Sequence, residues 1–273
     1  MNRNLKIVLS VLFVALVAFF VARAFWPKPS PAPKPVPRAV KVVPKKRPAK
    51  PQAAPVEMAI ILDDWGQSGA LVDDVVAIGR PLTLAVIPHL RRSYEVAEEA
   101  HGYGLGVMLH MPMQPKSNRQ PAEPHTILTT SPDAEIERLL DEALASVPHA
   151  QGVNNHQGSA ATSDLRVMRA VLKHLKEKGL FFVDSKVIAS SVCEQAAREA
   201  GIRFASRDVF IDNVATVDAV KNQLWEAIRV AKYQGRAVVI GHDKRPTLEA
   251  IRQMVPEIEK SGVKLVLAKE MVK

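Results

Sequence analysis

From Met58 onward, short apolar runs alternate with longer stretches in which apolar residues recur every three or four positions. Short apolar runs predict buried strands, and the longer period predicts amphipathic helices. The predicted strands are 58–62, 82–87, 105–109, 150–153, 180–183, 237–240 and 263–267, with a weaker one at 202–205. The predicted helices are 70–78, 94–101, 134–146, 165–178, 190–200, 218–233 and 248–260. Alternation of this kind is typical of parallel β/α units.

Five of the predicted strands end in polar residues, and this is the most informative feature of the chain. The residues at these ends are Asp63-Asp64, His110, Asn154-Asn155-His156, Asp184-Ser185 and Gly241-His242-Asp243. In a parallel barrel the carboxyl ends of all strands lie on one face, where such folds place their chemistry. The pattern therefore predicts an α/β barrel with these side chains around one mouth.

The formal charge of the 273-residue chain is +9, but the basic surplus lies in one segment. Residues 1–55 hold eleven basic residues and no acidic one, whereas the remainder has 26 basic and 28 acidic residues. The folded part is therefore not a basic module, and we expect no nucleic-acid partner. The single cysteine, Cys193, excludes an internal disulfide and a CxxC metal site, and its helical stretch predicts a small buried residue.

The first 55 residues predict a targeting segment and a linker in front of a folded domain at 56–273. A basic head precedes an almost wholly apolar run at 7–22, so residues 1–26 are interpreted as a signal anchor or a cleaved signal peptide. Residues 27–55 contain ten of the twenty prolines and predict a semi-rigid spacer. We favour an anchor, and expect a periplasmic domain associated with the inner membrane through residues 7–26, or a secreted periplasmic protein if cleavage occurs.

The polar residues at the strand ends suit a metal centre with acid and base groups beside it. Asp63 and Asp64 are adjacent, so one carboxylate can bind a cation while the other takes a proton; their alternative role is to cap the following helix. His110 and His156 suit a shared cation, although either alone is more often an ordinary hydrogen-bonded histidine. His242 has two open roles, as a general acid or as a packed side chain.

Asp184 has three open roles: it can orient a histidine, bind substrate, or cap the helix that begins near Ser190. The sequence contains no G-x-S-x-G, P-loop or G-x-G-x-x-G motif. Their absence argues against a serine hydrolase of the elbow type and against nucleotide or dinucleotide binding.

Six motifs at and beside the strand ends carry a family resemblance. They are AIILDDWG (59–66), LAVIPH (84–89), GLGVMLHMPMQP (104–115), GVNNHQGSAAT (152–162), FFVDSK (181–186) and VVIGHDK (238–244). In this order they resemble the divergent polysaccharide deacetylase family, and the resemblance covers residues 56–272. It implies a seven-stranded β/α barrel, distantly similar to the metal-dependent carbohydrate deacetylases.

The resemblance also implies a metal site. In ordinary polysaccharide deacetylases the first aspartate of an Asp-Asp pair is the base and the second binds metal, which assigns Asp63 and Asp64. An H-x-x-x-H pair completes the family's site, and His110 matches its first histidine. Four positions later stands Gln114, so the second histidine is missing. Either His156 supplies the third ligand, or the metal site is weakened.

Further roles follow from the same resemblance. His242 resembles the late histidine that acts as general acid. Trp65, directly after the aspartates, is expected to line the substrate pocket together with Asp184. The family's catalytic arginine and tryptophan motifs have no clear counterpart here.

These expectations combine into a membrane-tethered hydrolase of the cell envelope that removes acetyl groups from an N-acetylated carbohydrate polymer. Its cofactor would be a divalent metal, with Zn²⁺ expected. One alternative is a non-catalytic barrel that binds a glycan or an envelope partner, which the missing histidine at Gln114 favours. The other is a glycoside hydrolase that uses two carboxylates such as Asp63 and Asp184, whose separation would have to fit that chemistry.

Overall fold

The structure is a computed structural model, and it describes residues 16–17, 19–21, 23–24, 55–117 and 123–273. The chain divides into two compact units, Met1–Pro51 and Gln52–Lys273. The predicted anchor and spacer lie largely outside the described residues. Within the described ranges, no helix is long and apolar enough to cross a membrane. The membrane segment at 7–26 therefore stays a prediction.

The second unit alternates strands with helices throughout. Its strands are β1 (Val56–Trp65), β2 (Thr83–Val86), β3 (Gly106–Met113), β4 (Gly152–Gln157), β5 (Phe181–Asp184), β6 (Phe204–Ser206), β7 (Val209–Phe210), β8 (Arg236–His242) and β9 (Val263–Val266). Its α-helices are α1 (Val72–Val76), α2 (Ser93–Gly102), α3 (Asp133–Ser146), α4 (Leu165–Glu177), α5 (Cys193–Ala200), α6 (Val217–Gln234) and α7 (Arg245–Lys260). Each predicted element overlaps an observed one; β7 is the strand that the apolar pattern missed.

The strands form one parallel sheet with the order β6-β5-β4-β3-β2-β1-β8-β7, and β9 pairs with β1 outside this path. β6 and β7 lie at opposite ends of the path, yet only Arg207 and Asp208 separate them in sequence. The sheet therefore curls and brings its ends together. The predicted parallel α/β architecture is confirmed, with the sheet curled into a half-barrel. The predicted count of seven strands is wrong, because the path contains eight strands and β9 pairs with β1 outside it.

The two faces of the curled sheet carry separate hydrophobic clusters. One draws on the strands and the C-terminal turn but on none of the seven α-helices, so it is the inner face; its strand residues include Ala59, Ile61, Met108, Val183 and Ile240. The larger cluster joins the alternate strand positions to the helices. Because side chains alternate along a strand, Asp63, His110 and His242 lie on the inner face, each two positions beyond an inner-cluster residue.

Gly152, at the start of β4, has no room for a side chain. It pairs in register with Phe181 of β5, and the buried Phe181 ring occupies the space where a Cβ atom would lie. We expect Gly152→Ala to lower the free energy of unfolding by about 1–3 kcal/mol, the usual effect of overpacking a filled core. Urea unfolding measures this. Gly102→Ala, at the end of α2 with open space around it, is the control and should be neutral or stabilising; equal stability of the two variants would contradict the prediction.

Candidate functional site

A backbone irregularity at the end of β1 separates the two aspartates. The register between β1 and β2 shifts between Leu62 and Trp65, and Asp64 has a φ of 69°. A left-handed residue in a strand breaks the alternation of side chains. Asp63 therefore keeps the inner face, while Trp65 joins the outer cluster and is 1% exposed. This burial contradicts the expectation that Trp65 lines the substrate pocket.

Asp64, His110 and His156 direct three ligand atoms at one point. Asp64 Oδ1 lies 3.0 Å from His156 Nδ1 and 3.4 Å from His110 Nε2, and the two nitrogens are 3.1 Å apart. Asp64 Oδ1 is buried, yet it accepts no hydrogen bond of normal geometry from the described residues. Ligands of a tetrahedral Zn²⁺ ion, each about 2.0–2.1 Å from the metal, are about 3.3 Å apart. The triangle therefore fits a divalent cation, and it is the one such group in the described part of the chain.

Each histidine of this triangle is held through its other ring nitrogen. His110 Nδ1 lies 2.8 Å from Asn154 Oδ1, and the Asn154 amide donates to Asp63 Oδ1 at 2.8 Å. His156 Nε2 lies 3.3 Å from Glu123 Oε1. Contacts of this kind fix the tautomer and the orientation of a metal-binding imidazole. They leave His110 Nε2 and His156 Nδ1 facing the common point.

The two aspartates have opposite ionisation tendencies. Burial raises the pKa of Asp63, and the charge of His110 and the hydrogen bond from Asn154 only partly offset it. Burial also acts to raise the pKa of Asp64, but the close contacts with His110 and His156 and the charges of these imidazoles lower it overall. Asp64 is therefore suited to remain an ionised ligand. Asp63 is suited to accept a proton, since a base works best with a pKa near the working pH.

His242 lies beside this cluster with a carboxylate behind it. Strand pairing aligns His242 with Asp63, and its Nε2 is 3.6 Å from Asp64 Oδ2. Its Nδ1 is 2.9 Å from the fully buried Asp212, which also accepts from the His242 amide and from Thr247 Oγ1. Burial lowers the pKa of His242, but the hydrogen bond to Asp212 and the nearby carboxylates raise it overall. The protonated imidazole is thereby favoured, as a general acid requires.

Asp184 does not join this group. Phe181 and Val183 belong to the inner cluster, so Asp184 points to the outer face. Its carboxylate accepts from the Lys186 amide at 2.8 Å and from Ser191 Oγ at 2.7 Å, and it is 3% exposed. These contacts hold the turn after β5, and Asp184 does not cap α5, whose N-cap residue Val192 makes no side-chain capping hydrogen bond. A glycoside hydrolase pair of Asp63 and Asp184 is unsupported, because the two carboxylates lie on opposite faces of the sheet.

Gln114 and Cys193 both have structural surroundings. Gln114 Oε1 accepts from the Thr129 amide at 2.7 Å and from its hydroxyl at 2.9 Å. It therefore holds a loop, and His156 occupies the third corner of the ligand triangle. Cys193 is buried, as expected, and burial raises the pKa of its thiol.

Three residues of the site were missed or given no role by the sequence analysis. Asp212 ends the apolar run Val209-Phe210-Ile211, a strand-end signal that was too short to recognise. Asn154 stood in a quoted motif without a role, and it lies within β4 rather than after it. Glu123 lies in the long loop after β3, where no local pattern points to His156.

A curled parallel α/β sheet with an Asp/His/His cluster at its strand ends places this protein in the class of carbohydrate-deacetylase-like barrels. The family model for divergent polysaccharide deacetylases matches residues 60–272. The chain belongs to the divergent polysaccharide deacetylase family.

The chain is also similar to other proteins and to solved structures. YibQ of Escherichia coli K12 is 35% identical over 199 residues, which are 73% of this chain and 62% of that protein, so the match spans less than two thirds of the relative. A crystal structure of ATU2773 from Agrobacterium tumefaciens C58 has a TM-score of 0.76 at 20% identity, covering 83% of this chain and 92% of that chain. A mutant of BA3943 from Bacillus anthracis, described as a CE4 family pseudoenzyme with restored enzymatic activity, has a TM-score of 0.54 at 14% identity, covering 79% and 67%. At these identities the two structures show a shared fold alone.

Proposed function

We propose that this protein is a metal-dependent hydrolase that removes acetyl groups from an N-acetylated glycan. One observation carries the proposal: the cation-sized triangle lies beside two groups suited to opposite proton transfers. Asp63 Oδ2 is 3.6 Å from His110 Nε2, and His242 Nε2 is 3.6 Å from Asp64 Oδ2. Deacetylation needs such a pair, because one group removes a proton from water and another delivers a proton to the leaving amine.

The residues that would hold the metal are Asp64, His110 and His156. A divalent cation such as Zn²⁺ supplies Lewis acidity to the acetyl carbonyl and makes water more acidic. Imidazole and carboxylate ligands suit Zn²⁺. Without a cation, burial lowers the pKa of His110 but the two aspartates raise it overall to about 9, so cation binding would displace a proton.

The protein's own groups perform the proton transfers. Asp63 takes the proton of the attacking water; Asn154 holds its Oδ1, which leaves Oδ2 as the proton acceptor. His242 gives a proton from Nε2 to the leaving amine while Asp212 holds its Nδ1. Each acid or base group of this kind contributes on the order of 10²- to 10⁴-fold to the rate.

A non-catalytic, glycan-binding barrel is the alternative. The missing histidine at Gln114 favoured it, but Gln114 holds Thr129 and the triangle is complete with His156. The fold does not decide between the two, since folds host active and inactive members alike. The site's own residues carry the argument for catalysis.

The substrate class and the location belong to the proposal as well. An N-acetylated glycan is the substrate that the family suggests. A periplasmic location, with association to the inner membrane, rests on the targeting pattern of residues 1–55.

Metal content and acetate release test the proposed function together. The full-length protein, purified without chelator, should hold close to one divalent ion per chain and release acetate from acetylated chito-oligomers or peptidoglycan fragments. Metal without acetate release from any of these glycans would favour a binding role or another substrate. A protein that takes up no metal, even when Zn²⁺ is supplied, would overturn the metallohydrolase.

A further inference from the structure

Glu123 lies behind the candidate ligand His156 and has no part in the proton transfers described above. Its Oε1 is 3.3 Å from His156 Nε2. Its Oε2 is buried and has no hydrogen-bond partner among the described residues. A buried carboxylate oxygen without a partner is unfavourable, although the Glu123 side chain as a whole is 35% exposed.

The contact with Glu123 bears on which ring nitrogen of His156 carries the proton, and therefore on which nitrogen is free to bind a cation. A neutral imidazole has one N–H group and one free lone pair. If the proton lies on Nε2, it points at Glu123, and the lone pair of Nδ1 faces Asp64 Oδ1 at 3.0 Å and His110 Nε2 at 3.1 Å. The side-chain amide of Gln157 forms a hydrogen bond with the same nitrogen at 3.4 Å. An amide that donates to Nε2 would favour the opposite tautomer, so the charged Glu123 carboxylate has to outweigh it.

The loop that carries Glu123 is tied to β3 by Gln114. The Gln114 side chain holds Thr129, and the Gln114 amide donates to Ile127 O at 2.9 Å. The Thr126 hydroxyl donates to Glu123 O at 2.6 Å and closes the turn beside it. The position where the resemblance expects a second histidine therefore anchors the segment that contacts His156.

We propose that Glu123 is a positioning residue for metal binding, which holds His156 with Nδ1 presented to the cation, and that Gln114 fixes the loop that places Glu123. The inference rests on the proposed function, because it requires a cation at the triangle. It explains how the site keeps three candidate ligands although the second histidine of the family's H-x-x-x-H pair is missing. Gln114, which stands at that position, supports His156 through the loop that carries Glu123.

Metal affinity tests this proposal without any measurement of turnover. Zn²⁺ affinity of the full-length protein is measured by competition with a fluorescent chelator, and Co²⁺ spectra report the ligand geometry. Glu123→Ala should weaken Zn²⁺ binding about 10- to 100-fold and shift the Co²⁺ absorption bands. Glu123→Gln, which keeps an acceptor without the charge, should lose less. Glu98→Ala is the control, because it removes a similar contact to a surface histidine, 3.1 Å from His149, and should change neither readout.

A double variant tests the part of Gln114. Gln114→Ala should weaken Zn²⁺ binding less than Glu123→Ala does. The combined variant should bind no more weakly than Glu123→Ala alone, since both changes act through one contact. Additive losses would remove Gln114 from the proposal.

The outcomes separate this inference from the proposed function. Unchanged Zn²⁺ affinity in folded Glu123→Ala would overturn the inference alone, even if the wild type releases acetate. Weakened affinity in a protein that deacetylates no glycan would support the inference and count against the function. A wild type without metal would overturn both. If Glu123→Ala does not fold, the test uses Glu123→Gln instead. A Zn²⁺ affinity of Glu123→Gln equal to that of the wild type would then contradict a role for the Glu123 charge in metal binding.

Discussion

Asp63→Asn should retain its metal and release acetate on the order of 10²- to 10⁴-fold more slowly than the wild type. Asp63 is not a corner of the ligand triangle, and its Oδ1 already accepts a hydrogen bond from Asn154. Asparagine keeps that acceptor but cannot take a proton from water. Asp64→Ala should instead lose both metal and activity, because it removes one of three ligands. Elemental analysis and acetate release, measured on the same preparations, separate the two effects.

Asp184→Asn is the control for this comparison. Asp184 is equally buried, but its carboxylate caps a turn on the other face of the sheet. We expect a lower free energy of unfolding with the rate per folded molecule and the metal content unchanged. Loss of metal in Asp63→Asn would show that Asp63 is a ligand. A rate loss in Asp184→Asn that matches that of Asp63→Asn would return the two-carboxylate mechanism to consideration.

Asp212→Asn should slow acetate release on the order of 10²- to 10⁴-fold and move the basic limb of the pH–rate profile to lower pH. Burial lowers the pKa of His242, and the hydrogen bond to Asp212 is the largest effect that raises it. A general acid works when protonated, so the rate falls as pH rises through the pKa of His242. Removing the Asp212 charge lowers that pKa, and the fall begins at lower pH.

The acidic limb serves as the internal reference for this prediction. Asp63 must be ionised to accept a proton, so the rate falls as pH drops through its pKa, and Asp212→Asn should leave that limb in place. The bell-shaped profile should therefore become narrower, with the metal content unchanged. A uniformly lower rate with both limbs unmoved would assign Asp212 a packing role, and loss of metal would show a wider rearrangement.

Apolar periodicity predicted the elements well, because every strand except β6 and β7 has at least four residues, most of them buried. β7 was missed because two residues are too few to give a recognisable run. The strand ends also correctly predicted that Asp63, His110 and His242 lie together, since parallel strands have their carboxyl ends at the same edge of the sheet. What the pattern lacked was the face to which each end residue points.

Asp184 and Trp65 show why the sequence did not reveal the face of the sheet to which a strand-end side chain points. Phe181 and Val183 contact the inner cluster, whereas Phe182 contacts the outer one. A strand that is apolar on both faces has no alternation from which to place the next residue. For Trp65 the face depends on the left-handed backbone of Asp64, which no pattern of residue types indicates. Glu123 meets His156 only through the tertiary path of a loop.

The position of β1 in the sheet has a consequence for the synthesis of the chain. β1 pairs with β2, which follows it closely, but also with β8 and β9 near the other end of the sequence. About 200 residues separate β1 from β9, so at about 5–20 residues per second the ribosome needs on the order of tens of seconds to supply the last neighbour. During that interval β1 is an unpaired apolar edge of the kind that recruits other chains. A nascent chain that has not reached β8 already contains Asp64, His110 and His156, but it lacks the strand that pairs with β1 beside them. Assembly of the Asp64–His110–His156 cluster is therefore a late event, which factors that bind nascent chains have time to influence.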